Sequence, residues 1–214
     1  MLFIPTSGTN VTMSLFQTTL SQAYPVNFQQ LPTAYNSSEA LMPWNGDIID
    51  LDRLNEEFPE VTGEGVYIAL LDSGLVKHWR DYFPEERIVT EWGRSFVDLG
   101  ILKREYTPDV KESRDFLGDH SHGTGMASII LGYPINGIYV QGLAPMANII
   151  PIKVLNTYGH DMVAIDTIYS ISAGINYVTS LALTHPDSKF VISMSLGDFV
   201  APEPPLTTAI DAAI

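Results

Sequence analysis

Three short apolar runs constrain this chain more than anything else in it. Val66-Tyr67-Ile68-Ala69-Leu70-Leu71 carries no charge and is bounded by turn residues, Gly63-Glu64-Gly65 before it and Asp72-Ser73-Gly74 after it. Such a run fits a strand buried on both faces of a parallel sheet, because a sheet with one wet face would alternate apolar and polar residues. Asn148-Ile149-Ile150-Pro151-Ile152-Lys153-Val154-Leu155 and Phe190-Val191-Ile192-Ser193-Met194 are the second and third runs. Pro151 has no N–H to give a ladder, which predicts an edge or a bulge for the second run. Helical segments separate the runs. His122 to Leu131 is kept slim by Gly123, Gly125, Ala127 and Ser128. Asp161 to about Leu183 has Val163, Ile165, Ile168, Ile171, Ile175 and Val178 at helical spacing, which predicts a long buried helix. Strand, helix, strand, helix, strand predicts an α/β fold with a mostly parallel central sheet and helices on its faces.

The remaining stretches are less regular. Trp44 to Glu60 mixes turns with a short amphipathic piece around Ile48, Ile49, Leu51, Leu54 and Phe58. Arg87–Trp92 and Arg94–Val97 predict short strands, Lys103–Arg114 a charged exposed loop, and Pro134 and Gly137 a break in the chain. Val200–Pro205 reads as a loop, and Thr207–Ile214 as the start of a further helix. Residues 1–43 are rich in Ser, Thr, Gln and Asn, with Pro5, Pro25, Pro32 and Pro43 as breakers. They read as an extension or pro-segment remnant without a core of its own, ahead of one domain over 44–214.

Composition removes several classes of function. Hydrophobic residues make up 45% and charged residues 17% of the 214, enough for a sizeable core. The net charge of −14 repels phosphate, so nucleic acid and anionic membrane surfaces are not expected partners. There is no cysteine, which excludes disulfides and thiolate metal sites. No apolar run is long enough to span a bilayer, and Met1-Leu2-Phe3-Ile4-Pro5 lacks the basic start and apolar core of a secretory signal.

The candidate chemistry lies at the ends of the regular elements. Asp72 closes the first apolar run, at the carboxyl end of a strand, where open α/β sheets place their sites. His122 stands at the mouth of the small-residue helix. A serine hydroxyl becomes a useful nucleophile only when an imidazole takes its proton. That imidazole needs an acid on its other nitrogen to fix the tautomer and stabilise the imidazolium. Asp72 and His122 are the candidate holders of these roles. Two rival patterns are weaker. His120 and His122 are spaced like paired metal ligands, but catalytic zinc takes three protein ligands, and Thr124-Gly125 stands where an Asp-His pair would continue that pattern. Gly123-Thr124-Gly125-Met126-Ala127-Ser128 nearly fits a dinucleotide fingerprint, but the preceding Arg114–Asp119 is not an apolar strand.

Four motifs in order sharpen the case. Ile68-Ala69-Leu70-Leu71-Asp72-Ser73-Gly74 resembles the aspartate motif of the subtilisin-like serine proteases, the subtilases, and Ser121-His122-Gly123-Thr124-Gly125-Met126-Ala127 resembles their histidine motif. Gly142-Leu143-Ala144-Pro145 with Ile152-Lys153-Val154-Leu155 resembles the stretch that follows the histidine helix. Ile192-Ser193-Met194-Ser195-Leu196-Gly197 resembles the segment that binds substrate backbone.

The resemblance implies a three-layer subtilisin-like fold and hydrolysis of peptide bonds by an Asp-His-Ser triad. Asp72 would orient the histidine, and His122 would be general base and then general acid. Ser195, Leu196 and Gly197 would line the cleft and pair with an extended polypeptide substrate. Asp119 would sit near the cleft rim. No cofactor is required on this resemblance; Asp81 and Asn136 stand where some members bind a structural calcium. It also implies an extracellular or secreted setting. The chain departs from the family pattern twice. Gly125 stands where a second histidine is usual. The Gly-Thr-Ser-Met-Ala nucleophile motif and the oxyanion-hole asparagine do not occur. The expectation is a catalytic domain cut before its nucleophile, with the C-terminal part of the fold missing and no activity by itself. The competing expectation is a non-catalytic relative that binds peptides or serves structure.

Overall fold

A computed structural model describes residues 40–97, 116–118, 121–135, 138–158, 161–163, 167–197 and 204–214. In chain order the elements are α1 (Trp44–Ile48), α2 (Leu51–Glu57), β1 (Val66–Asp72), β2 (Arg94–Ser95), α3 (His122–Leu131), β3 (Gly132–Ile135), β4 (Ile138–Gln141), β5 (Asn148–Lys153), β6 (Asn156–Tyr158), β7 (Asp161–Val163), α4 (Thr167–Thr184), β8 (Lys189–Ser193) and α5 (Pro204–Ala213). The apolar runs form a parallel sheet in the order β2-β5-β1-β8. β1 is an interior strand, paired on one side as Tyr67–Asn148 to Asp72–Lys153 and on the other as Val66–Lys189 to Leu70–Ser193.

The sheet separates two cores, and strand alternation decides which residue joins which. Ala69 and Leu71 of β1 join Ile150, Ile152, Ile171, Ile175 and Val178 on the face covered by α4 and α5. Ile68 and Leu70 join Leu75, Trp79, Phe83, Ala127, Leu131 and Ile149 on the face covered by α3. Helix, sheet, helix is the expected α/β three-layer arrangement. Gly174 lets α4 approach closely: a Cβ there would lie 2.8 Å from Val154 Cγ1 and 3.3 Å from Leu71 Cδ2.

Several expectations change. The Pro151 run is not an edge: β5 lies between β2 and β1, with Pro151 opposite Leu70. The carbonyls of Ile149 and Lys153 accept from Val89 and Phe96 on the β2 side. Alternation directs the Pro151 nitrogen to that same side. There the chain leaves the ladder in a turn, where Gly93 N–H donates to the Thr90 carbonyl. The missing donor therefore costs no ladder bond. The long helix starts at Thr167, and Asp161–Val163 instead pairs antiparallel with Asn156–Tyr158. Arg87 ends a short 3₁₀ turn, Ile88 makes one bridge to Ile149, and only Arg94–Ser95 of its neighbourhood is a strand. Pro134 does not end regular structure; β3 and β4 pair antiparallel, with Pro134 opposite Tyr139. Pro204 and Pro205 belong to the first turn of α5, a position that tolerates proline.

Two short helices replace the mixed piece at 44–60. They bury Leu51 but leave Ile48, Ile49, Leu54 and Phe58 exposed or nearly so, so the apolar periodicity there does not face this core. Among the described residues no helix is long and apolar enough to cross a membrane. The extension at 1–39, the loop at 103–114, and Asp119, His120 and Asn136 lie outside the described residues.

Candidate active site

Asp72 is the last residue of β1 and is fully buried. Alternation places it, two residues past Leu70, on the face that carries α3. Its main-chain carbonyl accepts from Val154 at 2.8 Å and Leu155 at 3.2 Å, which ties the strand end to β5. Its carboxylate is held from two directions. Ser73 N–H donates to Oδ1 at 2.6 Å, and His122 Nδ1 lies 2.9 Å from Oδ1 and 3.0 Å from Oδ2. A carboxylate accepts only, so Nδ1 carries the proton and Nε2 is the acceptor nitrogen of the neutral ring. The His122 side chain is 28% exposed, against 1% for Asp72. The acid is sealed in and the imidazole opens outward. His122 is also the first residue of α3, whose N-terminal end favours a neighbouring negative charge.

Glycines allow this approach. A Cβ at Gly123 would collide with the Gly74 carbonyl oxygen and come within 3.2 Å of Asp72 Oδ1. Gly74 has φ +82°, and a Cβ there would collide with the Phe116 carbonyl oxygen. Leu75 and the 116–118 segment exchange bonds, Leu75 N–H to the Phe116 carbonyl and Gly118 N–H to the Leu75 carbonyl. Lys153 Nζ donates to the Leu117 carbonyl at 3.0 Å, holding that segment over the sheet end.

The other candidate residues are placed differently. Ser195, Leu196 and Gly197 follow β8 in a segment with no assigned element, Ser195 and Gly197 exposed and Leu196 half-buried against the α4 core. They lie past the carboxyl end of β8, the strand beside β1, so both groups of residues belong to one end of the sheet. Asp81 is exposed at the end of a short 3₁₀ turn. Among the described residues no three histidine or acidic side chains converge as a metal shell would require. Two residues escaped the sequence reading as contributors: the Ser73 hydroxyl accepts from Gly123 N–H, and Thr124 Oγ1 accepts from Val76 N–H. Their signal was their place in the motifs, directly after the acid and two after the histidine.

The chain is 30% identical over 163 residues to serine protease AprX of Bacillus subtilis, covering 72% of this chain and 31% of that protein. It is 26% identical over 156 residues to a thermostable alkaline protease of Halalkalibacterium halodurans, covering 73% and 34%. The chain thus spans about a third of the length of these relatives. Among solved structures, MycP1 from the ESX-1 type VII secretion system superposes with a TM-score of 0.54 at 20% identity, over 86% of this chain and 44% of that one. MycP1 from Mycobacterium smegmatis gives 0.53 at 21% identity over the same shares. At these identities the likeness speaks for the fold. Residues 63–214 match the family described as the subtilase family, peptidase S8, and with the acid, the histidine and the parallel sheet in one frame the chain belongs to that family.

Proposed function

We propose that this chain carries the acid and the base of a serine endopeptidase. The observation that carries the reading is the contact of His122 Nδ1 with both oxygens of a buried carboxylate. In this role His122 Nε2 takes the proton of an attacking serine hydroxyl while its oxygen bonds to the substrate carbonyl carbon. The same proton then goes to the amide nitrogen as the C–N bond breaks, and water releases the acyl group by the reverse sequence. Asp72 holds the ring in the Nδ1–H tautomer and stabilises the imidazolium. Ser195, Leu196 and Gly197 receive the substrate as an added extended strand. The exposure of Ser195 and Gly197, in the segment that continues from β8, supports that assignment.

On this reading the nucleophilic hydroxyl and the oxyanion donor are not among these 214 residues, because no Gly-Thr-Ser-Met-Ala segment occurs in them. The substrates are polypeptides and the setting is extracellular. The similarity to a minor extracellular protease and a cell wall-associated protease of Bacillus subtilis supports that setting.

Two measurements test the proposal. The 214-residue chain, incubated with a fluorogenic peptide and a fluorophosphonate probe, should neither cleave nor be labelled; a labelled serine overturns the missing nucleophile. In any longer polypeptide that joins these residues to a reactive serine, His122→Ala should lower kcat by about a million-fold. Turnover left within about tenfold of the parent removes His122 from the chemistry.

A further inference from the structure

A helix start leaves main-chain N–H groups without intrahelical partners, and an N-cap side chain ordinarily accepts from the second or third of them. Ser121 occupies the N-cap position of α3 but makes no side-chain cap bond. The N–H of Gly123, the second helical residue, instead donates to Ser73 Oγ at 3.0 Å. Ser73 is 1% exposed, so this bond is sealed from water. The cap of the histidine helix is thus supplied by the loop that carries the acid.

The consequence is geometric. Asp72 binds His122, and the next residue on each side, Ser73 and Gly123, binds as well. One further along, Thr124 Oγ1 accepts from Val76 N–H at 3.0 Å. The core contacts of Ala127 and Leu131 hold the body of α3, and the carboxylate–imidazole contact fixes one point of its first turn. A second and a third bond between the same two segments fix the angle of that turn. We propose that Ser73 is a positioning residue, whose hydroxyl clips the start of α3 to the Asp72 loop and so holds the His122 imidazole square on the carboxylate. This rests on the acid–base reading of Asp72 and His122 above. Small misplacements of a reacting group cost large factors in rate. The clip is therefore a device for catalysis as well as for stability.

The test reads the imidazole itself, in the 214-residue chain with ¹⁵N-labelled histidine. A low-field Nδ1–H proton resonance from His122, abolished by Asp72→Asn, reports the pair. Ser73→Ala should make that proton exchange with water roughly tenfold faster, in keeping with the loss of a helix cap. Ser73→Thr, which keeps the hydroxyl, should restore slow exchange. Ser170→Ala removes another buried hydroxyl bond, to the Phe96 carbonyl on the opposite face of the sheet. It should lower the melting temperature and leave the resonance alone. Should Ser73→Ala fail to fold, Ser73→Cys, whose thiol is only a weak acceptor, is read in its place and should also speed exchange. Exchange unchanged in the variant that is read, or sped equally by Ser170→Ala, overturns the positioning role and leaves the acid–base pair standing. A parent chain without the low-field proton overturns the acid–base reading and the clip with it.

Discussion

The two flanks of β1 differ in how they are finished. Toward α3, the acid at the end of the strand is sealed among the described residues. Asp72, Ser73 and Leu75 are at most 1% exposed, the carboxylate has two donors, and three glycines let main chain pass against main chain. Toward β8, the same sheet ends in open surface. Val191 is 49% exposed, although the sequence Phe190–Met194 reads like an interior strand. Ile175, Val178, Phe190, Ile192, Met194 and Ile210 line an apolar groove between β8, α4 and α5. The acid's side of the corner is thus enclosed by described residues while the imidazole opens outward, and the strand proposed to meet substrate has a frame on one side. Substitutions should be severe at the first flank and mild at the second.

The largest expected effect is in the core that backs the corner. Leu71→Ala, next to Asp72 and packed against α4, should cost about 2–5 kcal/mol in urea unfolding. Gly123→Ala comes next, at about 1–3 kcal/mol, because the added methyl has a carbonyl oxygen in its place. It should also abolish the low-field His122 proton; retention of that proton would show that the corner can yield. Gly125→Ala, two residues on, reverses the sign. Among the described residues a Cβ there meets nothing within 4 Å, so the helix should gain about 0.5–1 kcal/mol. Smallest is Gly197→Ala on the β8 flank, where a Cβ also meets none of the described residues within 4 Å. Its effect should stay within about 0.5 kcal/mol. A loss at Gly197 as large as that at Gly123 would erase the distinction between the flanks.

The room at Gly125 also bears on the departure from the family pattern. Among the described residues a Cβ at this position meets nothing within 4 Å, and glycine there leaves the Asp72–His122 contact intact.

Much of the sheet was legible in the sequence because a strand buried on both faces must be apolar throughout. β1 and β5 announce themselves this way, β8 has the same apolar look although none of its residues is buried, and the bounds expected for α3 are those observed. Other features were hidden for physical reasons. Pro151 argues against an interior strand only if its nitrogen faces a neighbour, and which neighbour it faces depends on where β2 begins. Val163 and Ile165 continue the helical spacing of α4, yet Asp161–Val163 pairs with Asn156–Tyr158, because spacing cannot see a partner strand. Ile48 and Phe58 look like core residues and are exposed for the same reason: periodicity marks an apolar face without saying what covers it.

The sequence alone determined the chemical parts: an acid ending a buried strand, an imidazole starting a slim helix, and glycines where backbone must pass close. Those are local facts, set by residue type and the period of the apolar pattern. Only the tertiary structure decided that the parts meet. Asp72 and His122 are fifty residues apart, as are Ser73 and Gly123. Their contacts exist because alternation along β1 turns residue 72 toward the face that α3 covers. No pattern along the chain records which helix covers which face; packing on the two sides of the sheet settles it.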